Sequence, residues 1–214
     1  MKVKERIVNS LLRGVFRILF KVETDALSLM PTHGPLMIVS NHTSVMEGPL
    51  LYVFMQPRTM SALAKKELWD SWFTRFLMNL WKSIPVDREN FTRDTMRRCF
   101  EVLDQGNMLA VAPEGTRNNH GKLQEGKAGV AFIAHKKQVP IIPIVTLGTE
   151  HFKAHIKRLR RTPITIKVGK PFEIINREIR LDAEARQQLT DEIMLRIAQL
   201  MPKDKWGFYS GRTL

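Results

Sequence analysis

Leu36-Met37-Ile38-Val39-Ser40-Asn41-His42-Thr43-Ser44-Val45-Met46-Glu47-Gly48-Pro49 is the stretch on which the fold turns. Its first four residues are an unbroken aliphatic run, which reads as a short buried strand. The polar residues that follow form a loop entering a helix near Val45. One imidazole therefore stands just past a strand end, and one carboxylate stands five positions on, at a helix start. A carboxylate there can accept a hydrogen bond from one ring nitrogen and fix the tautomer. The other nitrogen is left basic and pointing outward, as a general base requires. A histidine and a glutamate at this spacing also serve purely structural ends, so the rest of the chain has to decide.

Working outward, strands and helices alternate. Residues Lys2 to Lys21 have helical periodicity, and Val22 to Pro35 read as a connector rich in turn residues, with His33 in an exposed loop. The helix entered near Val45 continues through Met55. Strands are expected at Thr59–Ala64, Ile84–Arg88, Met108–Ala112, Pro140–Val145 and Thr162–Val168. Helices are expected at Trp69–Trp81, at Phe91–Gln105 with Gly106 as its stop, at Ala128–Lys136, and at Asp182–Met201 with Asp182 as N-cap. This alternation predicts a single α/β domain: a mixed, mostly parallel sheet flanked by helices, spanning 22–214, after an N-terminal amphipathic helix over 1–21.

That first helix carries Ile7, Val8, Leu11, Leu12, Val15, Phe16, Leu19 and Phe20 on one side. Lys2, Arg6, Asn9, Ser10, Arg13, Arg17 and Lys21 lie on the other. Such a helix either packs on its own domain or lies in a bilayer interface with its cations on lipid phosphates. Glu5 is its only acidic residue, which favours the membrane-associating reading.

Charge sets the class of partner. The 214 residues hold 34 Lys and Arg against 21 Asp and Glu, a formal net charge of +13. This excess points to an anionic partner: a phospholipid surface, a phosphate-bearing substrate or nucleic acid. No stacking aromatics interleave with the cations and no zinc spacing or recognition helix is evident, which argues against nucleic acid. Cys99 is the only cysteine, so neither an internal disulfide nor a cysteine metal site is expected, and it reads as a small core residue. No uncharged apolar run approaches the length of a membrane span. His120, His135, His151 and His155 have no partners at metal-ligand spacing and read as surface residues.

Four blocks then occur in order: Asn41-His42 with Glu47, Ile84-Pro85-Val86-Asp87-Arg88, Pro113-Glu114-Gly115-Thr116-Arg117, and Val139-Pro140-Ile141-Ile142-Pro143. With them the chain resembles the glycerolipid acyltransferase family, of the lysophosphatidic acid acyltransferase type. That family carries an N-H-x-x-x-x-D block, a strand ending in Arg, a P-E-G-T-R block and a V-P-hydrophobic-x-P strand. The likeness runs from about Pro35 to Val168. One position departs from the pattern, since Glu47 stands where the family most often has Asp.

The resemblance implies transfer of a fatty acyl group from acyl-CoA or acyl-carrier protein to the free hydroxyl of lysophosphatidic acid, by a peripheral protein on the cytoplasmic face of a membrane. No cofactor beyond the thioester co-substrate and no metal is implied. His42 would be the base and Glu47 its orienting partner. Arg88 and Arg117 match the phosphate-contacting positions, with Lys65 and Thr116 as further contacts. Asn41, Ser44, Glu114 and Gly115 would brace the loops, and backbone N–H groups near Gly115 or Val45 would serve the oxyanion. The aromatic and methionine-rich Trp69–Trp81 segment would be either core or the lining of an acyl-chain tunnel. Two alternatives stay open: another lysophospholipid or a lyso-amino-acid lipid as acceptor, and a non-enzymatic basic module on anionic lipid or nucleic acid.

Overall fold

The computed structural model describes residues 3–87, 91–118, 120–174 and 181–214. Helix α1 (Val3–Leu19) leads into strand β1 (Phe20–Glu23). Then follow β2 (Leu36–Ser40), α2 (Glu47–Phe54), β3 (Met60–Lys65), α3 (Trp72–Leu80), β4 (Ile84–Val86), α4 (Arg93–Asp104) and β5 (Met108–Val111). The chain closes with α5 (Gly129–Lys137), β6 (Ile141–Leu147), α6 (Phe152–Lys157), β7 (Thr162–Val168) and α7 (Ala183–Ala198).

The strands form one seven-stranded sheet in the order β1-β7-β6-β2-β5-β3-β4. Strands β6, β2, β5, β3 and β4 run parallel, while β7 is antiparallel to β6 and carries β1 parallel to itself. The sheet is thus mixed and mostly parallel, as the alternation predicted. Alternate residues of each strand feed opposite faces. Leu36, Ile38, Met108, Ala110, Ile142 and Ile144 pack with Phe16, Leu50, Leu51 and Leu77 of α1, α2 and α3. Met37, Val39, Leu109, Val111, Ile141 and Val145 pack with Cys99, Leu103, Val130, Ile133, Ile193 and Ile197 of α4, α5 and α7. Cys99 is fully buried, and desolvation pushes its thiol up to about 12, so it is an inert core residue.

Most expected boundaries differ by a residue or two, and three differences matter. The first helix stops at Leu19, and Phe20 and Lys21 open a strand instead. Pairing with β7 and complete burial of Phe20 outweigh the helical periodicity there. The second helix starts at Glu47, two residues later than Val45. In the aromatic segment, Lys66–Trp69 is a 3₁₀ turn and only Trp72–Leu80 is α-helix. Trp81 is core, stacked on Tyr52 with centroids 4.5 Å apart and donating its indole N–H to Asn9 Oδ1 at 2.8 Å. Asp182 caps α7 as expected, accepting from Ala185 N at 2.9 Å. Among the predicted surface histidines, His120 and His151 are exposed, whereas His135 and His155 are half-buried.

Helix α2, following β2, lies on one face of the sheet, and α5, following the neighbouring β5, lies on the other. Helices leaving adjacent strands toward opposite faces open a crevice at the carboxyl ends of those strands. In open α/β sheets this is where ligands bind.

Candidate active site

Three strand ends converge at this crevice: β2 with its His42 loop, β5 with Pro113-Glu114-Gly115, and β6 with Gly148-Thr149. The ladder between β2 and β6 reaches Ser40 opposite Ile144. One residue on, the Asn41 side chain takes over from the backbone. Its Nδ2 donates to Thr146 O at 3.1 Å and its Oδ1 accepts from Thr146 N at 3.0 Å. Asn41 thereby holds the loop against β6 as a peptide group would.

The main chain of His42 is gripped from the β5 side. Its N–H donates to Glu114 Oε1 at 2.8 Å, and its carbonyl accepts from Asn118 N at 3.0 Å. Glu114 is buried and accepts further from Asn118 Nδ2 at 2.8 Å and Gln124 N at 3.0 Å. Burial pushes its carboxyl above the ordinary carboxylate range, against the hydrogen bonds that favour the charge. Glu114 thus braces the loop, and its hydrogen bonds among the described residues do not include Arg117.

The side chain of His42 is held by the helix start. Its Nδ1 lies 2.9 Å from Glu47 Oε2, a contact that in the neutral ring sets the proton on Nδ1 and leaves Nε2 as the acceptor. Glu47 itself is only 2% exposed. Its carboxylate accepts from Thr43 N at 2.9 and 3.0 Å, from Ser44 N at 3.1 Å and from the hydroxyls of Thr43 at 2.5 Å and Thr149 at 3.0 Å. Buried charge without such a shell would be severely penalised. The longer side chain at this position therefore reaches the imidazole, and the late start of α2 sets it there. Ser44 adds a local turn, its hydroxyl accepting from Met46 N at 3.2 Å.

Thr149 was not anticipated from the sequence, because 102 positions separate it from Glu47. It can stand there because Gly148 has φ +96°, and because a Cβ on Gly148 would lie 2.2 Å from the Pro163 carbonyl oxygen. A glycine preceding a threonine at the end of an apolar strand was the available signal. Gly148→Ala is expected to cost about 3 kcal/mol or more, from backbone strain together with the clash. Chemical denaturation checks this, and a loss below about 1 kcal/mol would refute the tight approach.

His42 lines a cavity of about 190 Å³ whose walls include Leu63, Val86, Phe91, Val111, Val130 and Ile133, with Lys65, Gly115 and Lys127 at its polar side. These walls come from β3, β4, β5, α5 and, for Phe91, the segment just before α4. The Trp69–Trp81 segment is not among them, so that segment does not line this cavity. Lys127 is a second residue the sequence reading missed. Gly115, at φ +67°, leaves room for the Lys127 chain to cross it, since a Cβ there would sit 2.8 Å from Lys127 Cδ. Lys65, at the end of β3, is exposed and lies 3.1 Å from Glu67. Thr116 is half-buried and Arg117 exposed, and neither lines the cavity. Arg88 lies outside the described residues. Of the two oxyanion candidates, Gly115 borders the cavity and Val45 does not.

Fold and site together define an α/β protein with a carboxylate-held histidine at the mouth of an apolar cavity, set at a switch point of the sheet. The acyltransferase family model matches residues 21–147, more than half of the sequence, and the chain belongs to that family. Among similar proteins, a probable 1-acyl-sn-glycerol-3-phosphate acyltransferase of Mycoplasma pneumoniae is 28% identical over 146 residues, covering 65% of this chain and 54% of that protein. A 1-acyl-sn-glycerol-3-phosphate acyltransferase of Haemophilus influenzae is 30% identical over 139 residues, covering 64% of this chain and 57% of that protein. The chain spans about half the length of the curated relatives it matches. The crystal structure of the 1-acyl-sn-glycerophosphate acyltransferase PlsC from Thermotoga maritima superposes with a TM-score of 0.68 at 25% identity, covering 88% of this chain and 76% of that one.

Proposed function

We propose that this protein transfers a fatty acyl group from an acyl thioester to the free hydroxyl of lysophosphatidic acid. The single observation that carries the reading is the Glu47–His42 pair opening on an apolar cavity with two lysines at its rim. The similarity to proteins named as 1-acyl-sn-glycerol-3-phosphate acyltransferases points to the same acceptor.

An alcohol is a weak nucleophile at neutral pH. In the proposed reaction, His42 Nε2 takes the acceptor's hydroxyl proton as its oxygen attacks the thioester carbonyl. Glu47 stabilises the imidazolium that forms. The tetrahedral intermediate collapses with cleavage of the C–S bond, and the leaving thiolate takes the proton back from His42. An ester and a free thiol result, with no acyl-enzyme. Acyl-CoA and acyl-carrier protein both supply the required thioester.

The acceptor's phosphate is an anion, and among the described residues Lys65 and Lys127 are the cations lining the cavity that suit it. Arg88 and Arg117 are the further phosphate contacts that the resemblance implies. Replacing Lys65 and Lys127 together by alanine is expected to raise the acceptor KM roughly 10- to 100-fold and to leave kcat within about threefold, as loss of charge-assisted hydrogen bonds to a non-reacting group does. Steady-state kinetics over a lysophosphatidic acid series measures this, and an unchanged KM would remove both lysines from the cradle.

The reading also places the protein on an anionic membrane surface. Val3, Ile7, Leu11, Val15 and Ile18 form an exposed aliphatic stripe on α1, while Phe16 turns into the core. Among the described residues no helix is long and apolar enough to cross a membrane. A stripe of this kind, bordered by Lys4, Arg6 and Arg17, suits a helix lying in the lipid interface. Incubation with labelled acyl-CoA and lysophosphatidic acid, followed by product analysis, tests the activity. Other lysophospholipids and lyso-amino-acid lipids in the same panel test the acceptor. Absence of any acylated product from every acceptor, with either thioester carrier, would overturn the reading.

A further inference from the structure

The turn between α6 and β7 reads Lys157-Arg158-Leu159-Arg160-Arg161. Leu159 at its tip is 97% exposed and has φ +52°, a left-handed conformation that leucine rarely adopts. No packing offsets that cost, and Ile156, one turn back, is also exposed. Lys157, Arg158 and Arg160 flank the tip in sequence, Lys153 lies beside Lys157 and Arg158, and among the described residues none of the four has an ion-pair partner. The nearby acid in sequence, Glu150, is already engaged by Lys205 and by Gly148 N.

The turn is fixed relative to both α1 and the catalytic edge. Arg161 donates from Nη2 to Arg17 O at 2.6 Å and to Phe20 O at 2.8 Å, closing the C-terminus of α1. Phe152 packs on Phe20 with ring centroids 5.0 Å apart. Leu147, the last residue of β6, pairs with Thr165, so the start of β7 at Thr162 lies three residues, about 10 Å, further out on the edge that carries His42. The exposed stripe of α1 ends at Ile18, beside this same turn.

We propose that the Lys157–Arg161 turn is a second bilayer contact, with Leu159 inserted among lipid chains and the surrounding cations on anionic phospholipid head groups. The proposal rests on the reading of α1 as a bilayer-facing helix and extends it to a turn far along the sequence. A partner offering phosphates alone would reward the arginines and ignore an aliphatic tip held in a costly conformation. A bilayer engages both. Contacts at α1 and at this turn would hold the catalytic edge beside the surface from which a lipid acceptor arrives.

Flotation of the full chain with phosphatidylcholine vesicles, with and without phosphatidylglycerol, tests the proposal. Leu159→Gly removes the tip and relieves the positive φ, so its melting temperature is expected to match or exceed that of the parent, while affinity for the anionic vesicles falls roughly tenfold. Arg158→Glu with Arg160→Glu is expected to lower that affinity roughly 30-fold or more and to leave binding to pure phosphatidylcholine unchanged. Ile7→Gln with Leu11→Gln probes α1 separately. If the α1 variant loses binding and the turn variants bind like the parent, the turn is not a contact and the α1 reading stands. If only the charge-reversal variant loses affinity, Leu159 does not insert and the proposal fails. Failure of the parent to float with anionic vesicles would overturn both readings.

Discussion

Replacing His42 by alanine is expected to lower kcat for acyl transfer by at least about 10³-fold while the protein stays folded. The size follows from the role, because removing a positioned base forfeits proton transfer in the transition state. The fold survives because the imidazole is partly exposed, at 24% for its side chain, and among the described residues makes one side-chain hydrogen bond. The loop stays in place because the main chain of residue 42 keeps its bonds to Glu114 and Asn118. The expected change in stability is about 1 kcal/mol. Measuring thiol release from acyl-CoA beside a thermal melt checks both halves. Activity within tenfold of the parent would remove His42 as the base.

The second large effect falls on Glu47, where charge and shape can be separated. Glu47→Gln keeps the shape, and its amide oxygen can still accept from Thr43, Ser44 and Thr149. Its amide nitrogen then faces the imidazole and donates, which drives the ring proton to Nε2 and leaves no base toward the cavity. A loss of about 10⁴-fold in kcat is expected, the order found when the carboxylate of a hydrolase triad becomes an amide. Glu47→Ala differs in kind. It leaves the main-chain N–H groups of Thr43 and Ser44 without this acceptor, at about 1–3 kcal/mol for each, and leaves the Thr43 and Thr149 hydroxyls, 3.1 Å apart, to pair with each other. Denaturant titration of the two variants should separate them, the glutamine form close to the parent and the alanine form strongly destabilised. A glutamine variant with near-parental kcat would show that the tautomer does not matter and would dismiss the carboxylate from its orienting role.

Much of this architecture was legible in the chain because it rests on local signals. Aliphatic runs of four to seven residues ending in polar loops mark β2, β5 and β6, and the N-cap at Asp182 marks α7. His42 and Glu47 were legible because a stretch of six residues contains them both. The boundary of α1 was not, since Phe20 continues the helical periodicity and only pairing with β7 pulls it into a strand. Thr149, Lys127 and Asn118 join the site through long-range packing, and nothing near His42 in sequence announces them. The aromatic segment Trp69–Trp81 could be read as core or as a tunnel lining, and Trp81 is core, buried against Tyr52, while Trp72 is exposed. Composition alone does not say which side of a sheet a ring will fill.

The order in which the sheet can close has a consequence for synthesis. Phe20 pairs with Thr162, and Glu23 lies opposite Thr165, 142 positions later. At typical ribosomal speeds of about 5–20 residues per second, the first strand waits roughly 7–30 s for its neighbour to emerge. Throughout that interval the amphipathic helix ahead of it has left the exit tunnel without the strand and arginine that will fasten it. On the proposed reading of that helix as bilayer-facing, a nascent chain in that condition would offer its exposed aliphatic side to lipid before β7 is made, and delivery to a bilayer would begin during translation.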